Sequence, residues 1–133
     1  MCLHLKKKSY RMTAKRNIVV YKIIRPVGNY YETPYQYIKI EIPSCLETKL
    51  EKPKMGPTYG IGDLIIEKGF HSCKFIKDLI QLSREYDWVK ECILVKCIIP
   101  KGAQYYIGFD DSKRVSYASD KLNYIEILNI NLK

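Results

Sequence analysis

His71 and Cys73 are the two residues whose types and spacing come nearest to a reaction centre. A thiol at the first turn of a helix is favoured as a thiolate by the helix dipole, and a nearby histidine can take up its proton. Helical periodicity follows Ser72, so Ser72 is predicted to be an N-cap and Cys73 to lie in that first turn. The alternative is a small buried thiol beside a turn histidine that hydrogen-bonds to the backbone. No acylation signature surrounds the pair, which favours this alternative.

The chain contains five cysteines and two histidines, which raises the question of a zinc site. Cys92 and Cys97 are five residues apart on one predicted strand, a spacing that places their side chains on opposite faces. No Cys-x-x-Cys knuckle is present. We therefore predict no metal site. The odd number and irregular spacing of the cysteines predict free, mostly buried thiols in a reducing compartment.

Tyrosine is abundant, with 12 residues, most of them in two clusters. Exposed tyrosine clusters often mark recognition surfaces for proteins or for stacked bases. Tyrosine also suits half-buried strands, and both interpretations stay open. A surface for a protein or a small ligand ranks ahead of one for nucleic acid, because most of the chain is only mildly basic. The candidate binding residues are Tyr30, Tyr31, Tyr35, Tyr37, Tyr105, Tyr106 and Tyr117.

The net charge of +9 is concentrated at the N-terminus. Residues 1–16 contain six basic residues and no acid, whereas residues 17–133 contain 17 basic and 14 acidic residues. We predict that residues 1–16 form a disordered basic tail with non-specific, salt-dependent affinity for the phosphates of nucleic acid. An alternative start at Met12 would leave residues 1–11 without a structural role. The chain has neither a secretory signal nor a run of ~20 apolar residues, so we expect a cytoplasmic protein that does not bind membranes.

The elements that position these residues follow from hydrophobic periodicity. The one convincing helix spans about 73–86, where apolar residues recur on a single face. Residues 47–62 are predicted to be a long surface loop. The predicted strands cover residues 17–25, 35–42, 91–99, 104–109, 114–117 and 122–130. Residues 17–133 are therefore expected to form a single α+β domain, with about six mostly antiparallel strands and the main helix packed on the sheet.

The second half of the chain resembles a group of uncharacterised small proteins of gut bacteria, their phages and mobile elements. The resemblance covers roughly residues 60–128. It is carried by the segments Gly69-Phe70-His71-Ser72, Ile99-Pro100-Lys101-Gly102-Ala103-Gln104-Tyr105-Tyr106 and Tyr117-Ala118-Ser119-Asp120.

The order of the same segments is faintly similar to that of ADP-ribosyltransferase-type domains. This similarity implies NAD as cofactor, with Arg25 as the NAD-binding group of the first strand, Ser72 in the middle motif, and Glu126 or Asp120 as the acid. The chain lacks the Ser-Thr-Ser of the middle motif and a Glu-x-Glu or Gln-x-Glu pair near its end.

The primary hypothesis is a non-enzymatic binding protein without a cofactor, a counter-defence or accessory factor of a phage or mobile element. It would bind a host or phage protein through a tyrosine-rich face and the 47–62 loop. The first alternative is an ADP-ribosyltransferase-like enzyme or NAD-binding domain. The second is nucleic-acid binding through residues 1–16. The candidate catalytic residues under the enzyme hypothesis are Arg25, His71, Ser72, Cys73, Asp120 and Glu126.

Overall fold

The structure is a computed structural model that describes residues 3–5, 10–34, 37–55, 64–110 and 113–133. Over these residues the chain forms thirteen strands, one α-helix, α1 (Ile76–Glu85), and a short 3₁₀ helix (Asp87–Glu91). The strands are β1 (Leu3–Leu5), β2 (Met12–Thr13), β3 (Ile18–Val27), β4 (Tyr30–Glu32), β5 (Lys39–Ile40), β6 (Ser44–Glu47), β7 (Lys54–Met55), β8 (Leu64–Ile66), β9 (Phe70–Cys73), β10 (Ile93–Ile99), β11 (Gln104–Phe109), β12 (Val115–Ser119) and β13 (Lys121–Leu128).

The strands form one long, antiparallel sheet. Its order across the described residues is β6-β13-β10-β3-β9-β12-β11-β1-β8-β7, and β2 pairs with β11. The pair β4 and β5 extends from the far end of β3. Every pairing between described strands is antiparallel.

Two core clusters lie on opposite faces of the centre of this sheet. Successive side chains of a strand point to opposite faces, so Val20 and Ile24 of β3 enter one cluster and Ile23 enters the other. Leu79 and Leu82 of α1 pack in the cluster of Ile23. The strand β3 is central, since it pairs with β10 on one side and β9 on the other.

The predicted α+β class with about six strands is wrong. The molecule is mostly antiparallel β-sheet with one ten-residue helix. The long apolar strands were predictable, and β3, β10, β11 and β13 lie close to their expected positions. Most of the additional strands are two to four residues long, too short for alternation of apolar and polar residues to identify them.

The predicted start of the helix is also wrong. The N-cap of α1 is Phe75, which makes no side-chain capping hydrogen bond. Ser72 and Cys73 belong to β9 instead, in a segment whose Gly69 suggested a turn. Gly69 has a positive φ of 132°, a conformation that glycine tolerates, and the strand begins directly after it.

Two strands lie within the segment predicted to be a disordered tail. Leu3 is 1% exposed and Leu5 is buried, and β1 pairs with both β11 and β8. Residues 3–5 therefore contribute to the core, contrary to the idea that residues 1–11 have no structural role. Within the part of the chain that the structure describes, no helix is long and apolar enough to cross a membrane.

Two further predictions fall partly outside the described ranges. Of the strand predicted over residues 35–42, the structure shows only β5, and residues 35 and 36 lie outside the described residues. The loop predicted over residues 47–62 includes β7, and residues 56–63 lie outside the described residues.

Candidate functional site

The sheet opens between β3 and β9. The two strands share a single register pair, Tyr21 with Cys73, after which β3 continues alongside β4. A cavity of about 70 Å³ occupies the place where they separate. Three consecutive residues from each strand line it, and apolar side chains of β1 and α1 close it. The polar residues of its lining are Lys22, Thr33, His71, Ser72, Asp110 and Ser116.

His71 lies in this cavity as a neutral imidazole. Burial lowers the pKa of His71 to about 4. Its Nε2 atom is 2.8 Å from the carbonyl oxygen of Glu67, so Nε2 carries the proton and donates it to that oxygen. This confirms the prediction of a histidine that hydrogen-bonds to the backbone, although the residue lies on a strand and not in a turn.

Cys73 is a free, buried thiol. Burial raises the pKa of Cys73 to about 11, and the sulfur is 3.8 Å from the hydroxyl of Ser116. A helix end cannot stabilise a thiolate here because Cys73 precedes α1 and belongs to β9. The predicted position of Cys73 in the first turn of the helix is therefore wrong, and the residue is a buried thiol, as the alternative predicted.

Lys22 is the functional candidate that the sequence analysis missed. Burial lowers its pKa from 10.5 to about 8. Among the described residues Lys22 has no ion pair or hydrogen bond, and its Nζ atom lies 5.9 Å from the ring centre of Tyr124. In the sequence, the one indication of this was that Lys22 is the single charged residue within residues 18–24, a run rich in β-branched residues in a predicted strand.

Ser72 adds a second polar group without a partner to the same cavity. The residue is 4% exposed, and its hydroxyl has no hydrogen-bond partner among the residues that the structure describes. Buried hydroxyls normally have one, so this group needs an explanation. Asp110 is different, because its carboxylate accepts a hydrogen bond from the backbone N–H of Arg114 (2.9 Å) and lies 3.6 Å from the guanidinium of the same residue.

The other candidate catalytic residues lie outside the lining of this cavity. Arg25 forms an ion pair with Glu32 at 2.8 Å, and their hydrogen bond raises the pKa of Arg25. Asp120 accepts a hydrogen bond from the backbone N–H of Gln104, as a turn residue does. Glu126 is exposed on β13, opposite Lys96. The cavity thus brings together His71, Ser72 and a different acid, Asp110.

The first tyrosine cluster forms a surface that we call the tyrosine patch. Tyr37 is 67% exposed and Tyr30 is 37% exposed. A cation lies over each ring: Arg25 is 5.4 Å from the ring centre of Tyr37, and Lys39 is 5.3 Å from that of Tyr30. The patch consists of Arg25, Tyr30, Tyr31, Tyr37, Ile38 and Lys39. Tyr35, also a predicted binding residue, lies outside the described residues.

The second tyrosine cluster belongs mostly to the core. Tyr106 and Tyr117 are buried, and the half-buried Tyr105 stacks on Tyr117 with ring centres 5.8 Å apart. Tyr117 packs in a core cluster on one face of the sheet, and Tyr106 packs in a core cluster on the other face. Tyr106 and Tyr117 therefore stabilise the fold and are not available as a recognition surface.

A separate open groove of about 650 Å³ runs between residues 12–19 and the Tyr105–Tyr117 pair. Lys15 and Arg16 are exposed at its rim.

Comparison of the chain with family models, with curated proteins and with solved structures gave no match.

Proposed function

We propose that this chain is a non-enzymatic binding protein whose tyrosine patch docks on an acidic surface of a partner protein. The patch lies where β4 pairs with the end of β3 and β5 pairs with β4, and Tyr31 and Ile40 anchor this part of the sheet in the core. Its tyrosines supply rigid contact area at a low cost in conformational entropy, which is the usual composition of a protein-binding surface.

The observation that carries this proposal is the conformation of Tyr37. Its φ of 55° is in the left-handed region, which a bulky residue seldom adopts. Thr33 closes the loop around it: the Thr33 N–H donates to the carbonyl oxygen of Ile38, and the Thr33 carbonyl and hydroxyl oxygens accept from the N–H groups of Tyr37 and Ile38. Backbone strain concentrates at functional sites, and here it holds an aromatic ring in solvent.

The charge of the patch favours an acidic partner. The positive charge of Arg25 is neutralised by its ion pair with Glu32. The exposed Lys39 therefore gives the patch a net positive charge. The whole chain carries a net charge of +9, which steers acidic surfaces toward it. A host protein bound by a factor of a phage or mobile element fits this description.

Affinity purification from bacterial lysate tests the proposal. Three variants are compared with the wild type, and all four proteins carry the same tag and are expressed at the same level. The double variant Tyr37→Ala/Lys39→Glu should lose the specifically enriched protein, because an interface anchor and its charge are removed together. The control variant Tyr10→Ala should still retrieve the enriched protein, because Tyr10 is 74% exposed but lies outside the tyrosine patch. Lys15→Glu/Arg16→Glu should also retain it.

The proposal is overturned if the patch variant retrieves the same protein as the wild type. Loss of binding in Lys15→Glu/Arg16→Glu alone, with retrieval of nucleic acid, would assign recognition to the groove instead. Salt dependence separates these outcomes further, because binding to phosphates weakens steeply with ionic strength.

A further inference from the structure

We infer that the cavity at the opening between β3 and β9 binds a short-chain neutral alcohol, whose hydroxyl donates a hydrogen bond to Nδ1 of His71. The side chains that surround this space belong to one face of the sheet. Because side chains alternate along a strand, His71 and Cys73 of β9 lie on the same face, and Cys73 packs in the cluster that contains Ile23. Lys22 and Ser72 border the opening, but their side chains lie on the opposite face.

The cavity lies between two apolar clusters on this face. Leu79 and Leu82 of α1 belong to the cluster of Ile23, whereas Leu3 of β1 belongs to a third cluster, which includes Ala118. His71 is the register partner of Ala118, so it lies between the two clusters. The space beside its ring therefore has mainly apolar walls.

The Nδ1 atom of His71 is an acceptor without a partner among the described residues. The Nε2 atom carries the proton, since it donates to the carbonyl oxygen of Glu67 at 2.8 Å, and Nδ1 therefore presents a lone pair. Burial lowers the pKa of His71 to about 4, so the ring is neutral at pH 7. An acceptor in a mainly apolar space is satisfied by a ligand that supplies an O–H donor.

The other polar groups on this face already have partners. The sulfur of Cys73 is 3.8 Å from the hydroxyl of Ser116, which donates to the carbonyl oxygen of Arg114 at 3.2 Å. The hydroxyl of Thr33 accepts a backbone hydrogen bond, and the carboxylate of Asp110 pairs with Arg114. A charged ligand would lack a counter-ion here, so the cavity suits a neutral molecule with a single polar group.

The volume of the cavity sets the length of the ligand. About 70 Å³ has room for roughly five water-sized spheres, which corresponds to a hydroxyl and a chain of about four carbons. Leu3, Ile23, Leu79 and Leu82 line the space and would contact this chain. Burial of the chain against these side chains favours binding through the hydrophobic effect.

Titration of the full chain with butan-1-ol at pH 7, followed by nuclear magnetic resonance, tests this inference. Saturable shifts are expected at the amides of Thr33, His71 and Cys73, and at the Nδ1 nitrogen of His71 because it accepts the hydrogen bond. Methyl propyl ether has the same atoms but no O–H donor, so it should bind about fivefold more weakly and leave the Nδ1 resonance in place. Equal affinity for the ether, or no saturable shift up to about 50 mM butan-1-ol, a very weak limit, overturns the inference.

Two variants assign the contact. His71→Phe keeps a ring on the strand but removes the acceptor, so it should lower the affinity for butan-1-ol about fivefold and abolish the preference over the ether. Ser72→Ala changes the neighbouring position, whose side chain lies on the opposite face, and should leave both affinities unchanged. A wild-type preference for butan-1-ol in His71→Phe overturns the site. If this variant does not fold, the ether comparison and the Nδ1 resonance of the wild-type chain decide, and neither result depends on the tyrosine patch.

Discussion

At the scale of single residues, the lining of one cavity includes His71, Cys73 and Lys22. His71 and Cys73 lie in the cavity, and the alternative of a backbone-bonded histidine beside a buried thiol was recoverable from their local context. Lys22 was overlooked because a charged residue in a strand normally faces water. Only the pairing of β3 on both sides shows that this lysine lies half-buried at the centre of the sheet.

The titration of Lys22 gives a prediction about stability at alkaline pH. Its pKa is about 8 in the folded chain and 10.5 when solvated, so between these values the unfolded chain holds a proton that the folded chain has released. The contribution of Lys22 to the free energy of unfolding therefore rises as pH increases from about 8 to 10.5. Lys22→Met abolishes this rise, which amounts to at most about 3 kcal/mol.

Urea denaturation of the wild type and of Lys22→Met, at several pH values from 7 to 11, measures this difference. The groups that face Lys22 act in the opposite direction, because burial raises the pKa of Cys73, Cys97 and Tyr124 and their contribution falls at high pH. They are present in both proteins, so most of their contribution cancels in the comparison. The part that remains arises because the charge of Lys22 lowers the pKa of Cys97 in the wild type only. A difference between the two proteins that does not change with pH would contradict the assignment.

At the scale of the elements, the length of a strand decided whether the sequence could predict it. The strands of six or more residues have enough apolar positions to be recognised, and β10 and β11 were placed within about two residues of their ends. Strands of two or three residues, such as β1 and β5, are defined by the neighbours with which they pair. The opening of the sheet between β3 and β9, and thus the cavity, depends on such pairing and leaves no periodic signal.

Gly108 shows how closely one of these short strands approaches the sheet. A β-carbon at this position of β11 would collide with the carbonyl oxygen of His4 in β1. Gly108→Ala should therefore displace β1 and lower the free energy of unfolding by about 1–3 kcal/mol. Urea denaturation measures the loss.

Amide hydrogen exchange shows whether the loss is local. Protection should fall in β1 and β8, which pair with each other, and persist in β3 and β10 at the centre of the sheet. Unchanged stability, or an equal loss of protection across all four strands, would contradict a contact specific to β1.

At the scale of the whole molecule, the buried and the exposed tyrosines lie in different parts of the sheet. The long central strands carry two core clusters, whereas the exposed rings of the tyrosine patch lie where β4 pairs with the end of β3 and β5 pairs with β4. The sequence indicated tyrosine-rich recognition but did not distinguish the exposed cluster from the buried one, because tyrosine suits both environments. Tyr106 and Tyr117 are buried, whereas Tyr30 and Tyr37 are exposed, so the structure distinguishes the two clusters by exposure.

Site-specific photo-crosslinking in bacterial cells tests the central claim most directly. With p-benzoylphenylalanine in place of Tyr37, irradiation should yield one discrete adduct with a partner protein, because the ring at this position lies in the interface. The same group in place of Tyr10, at comparable exposure, should yield none. A discrete adduct at position 10 together with none at position 37 would contradict the account.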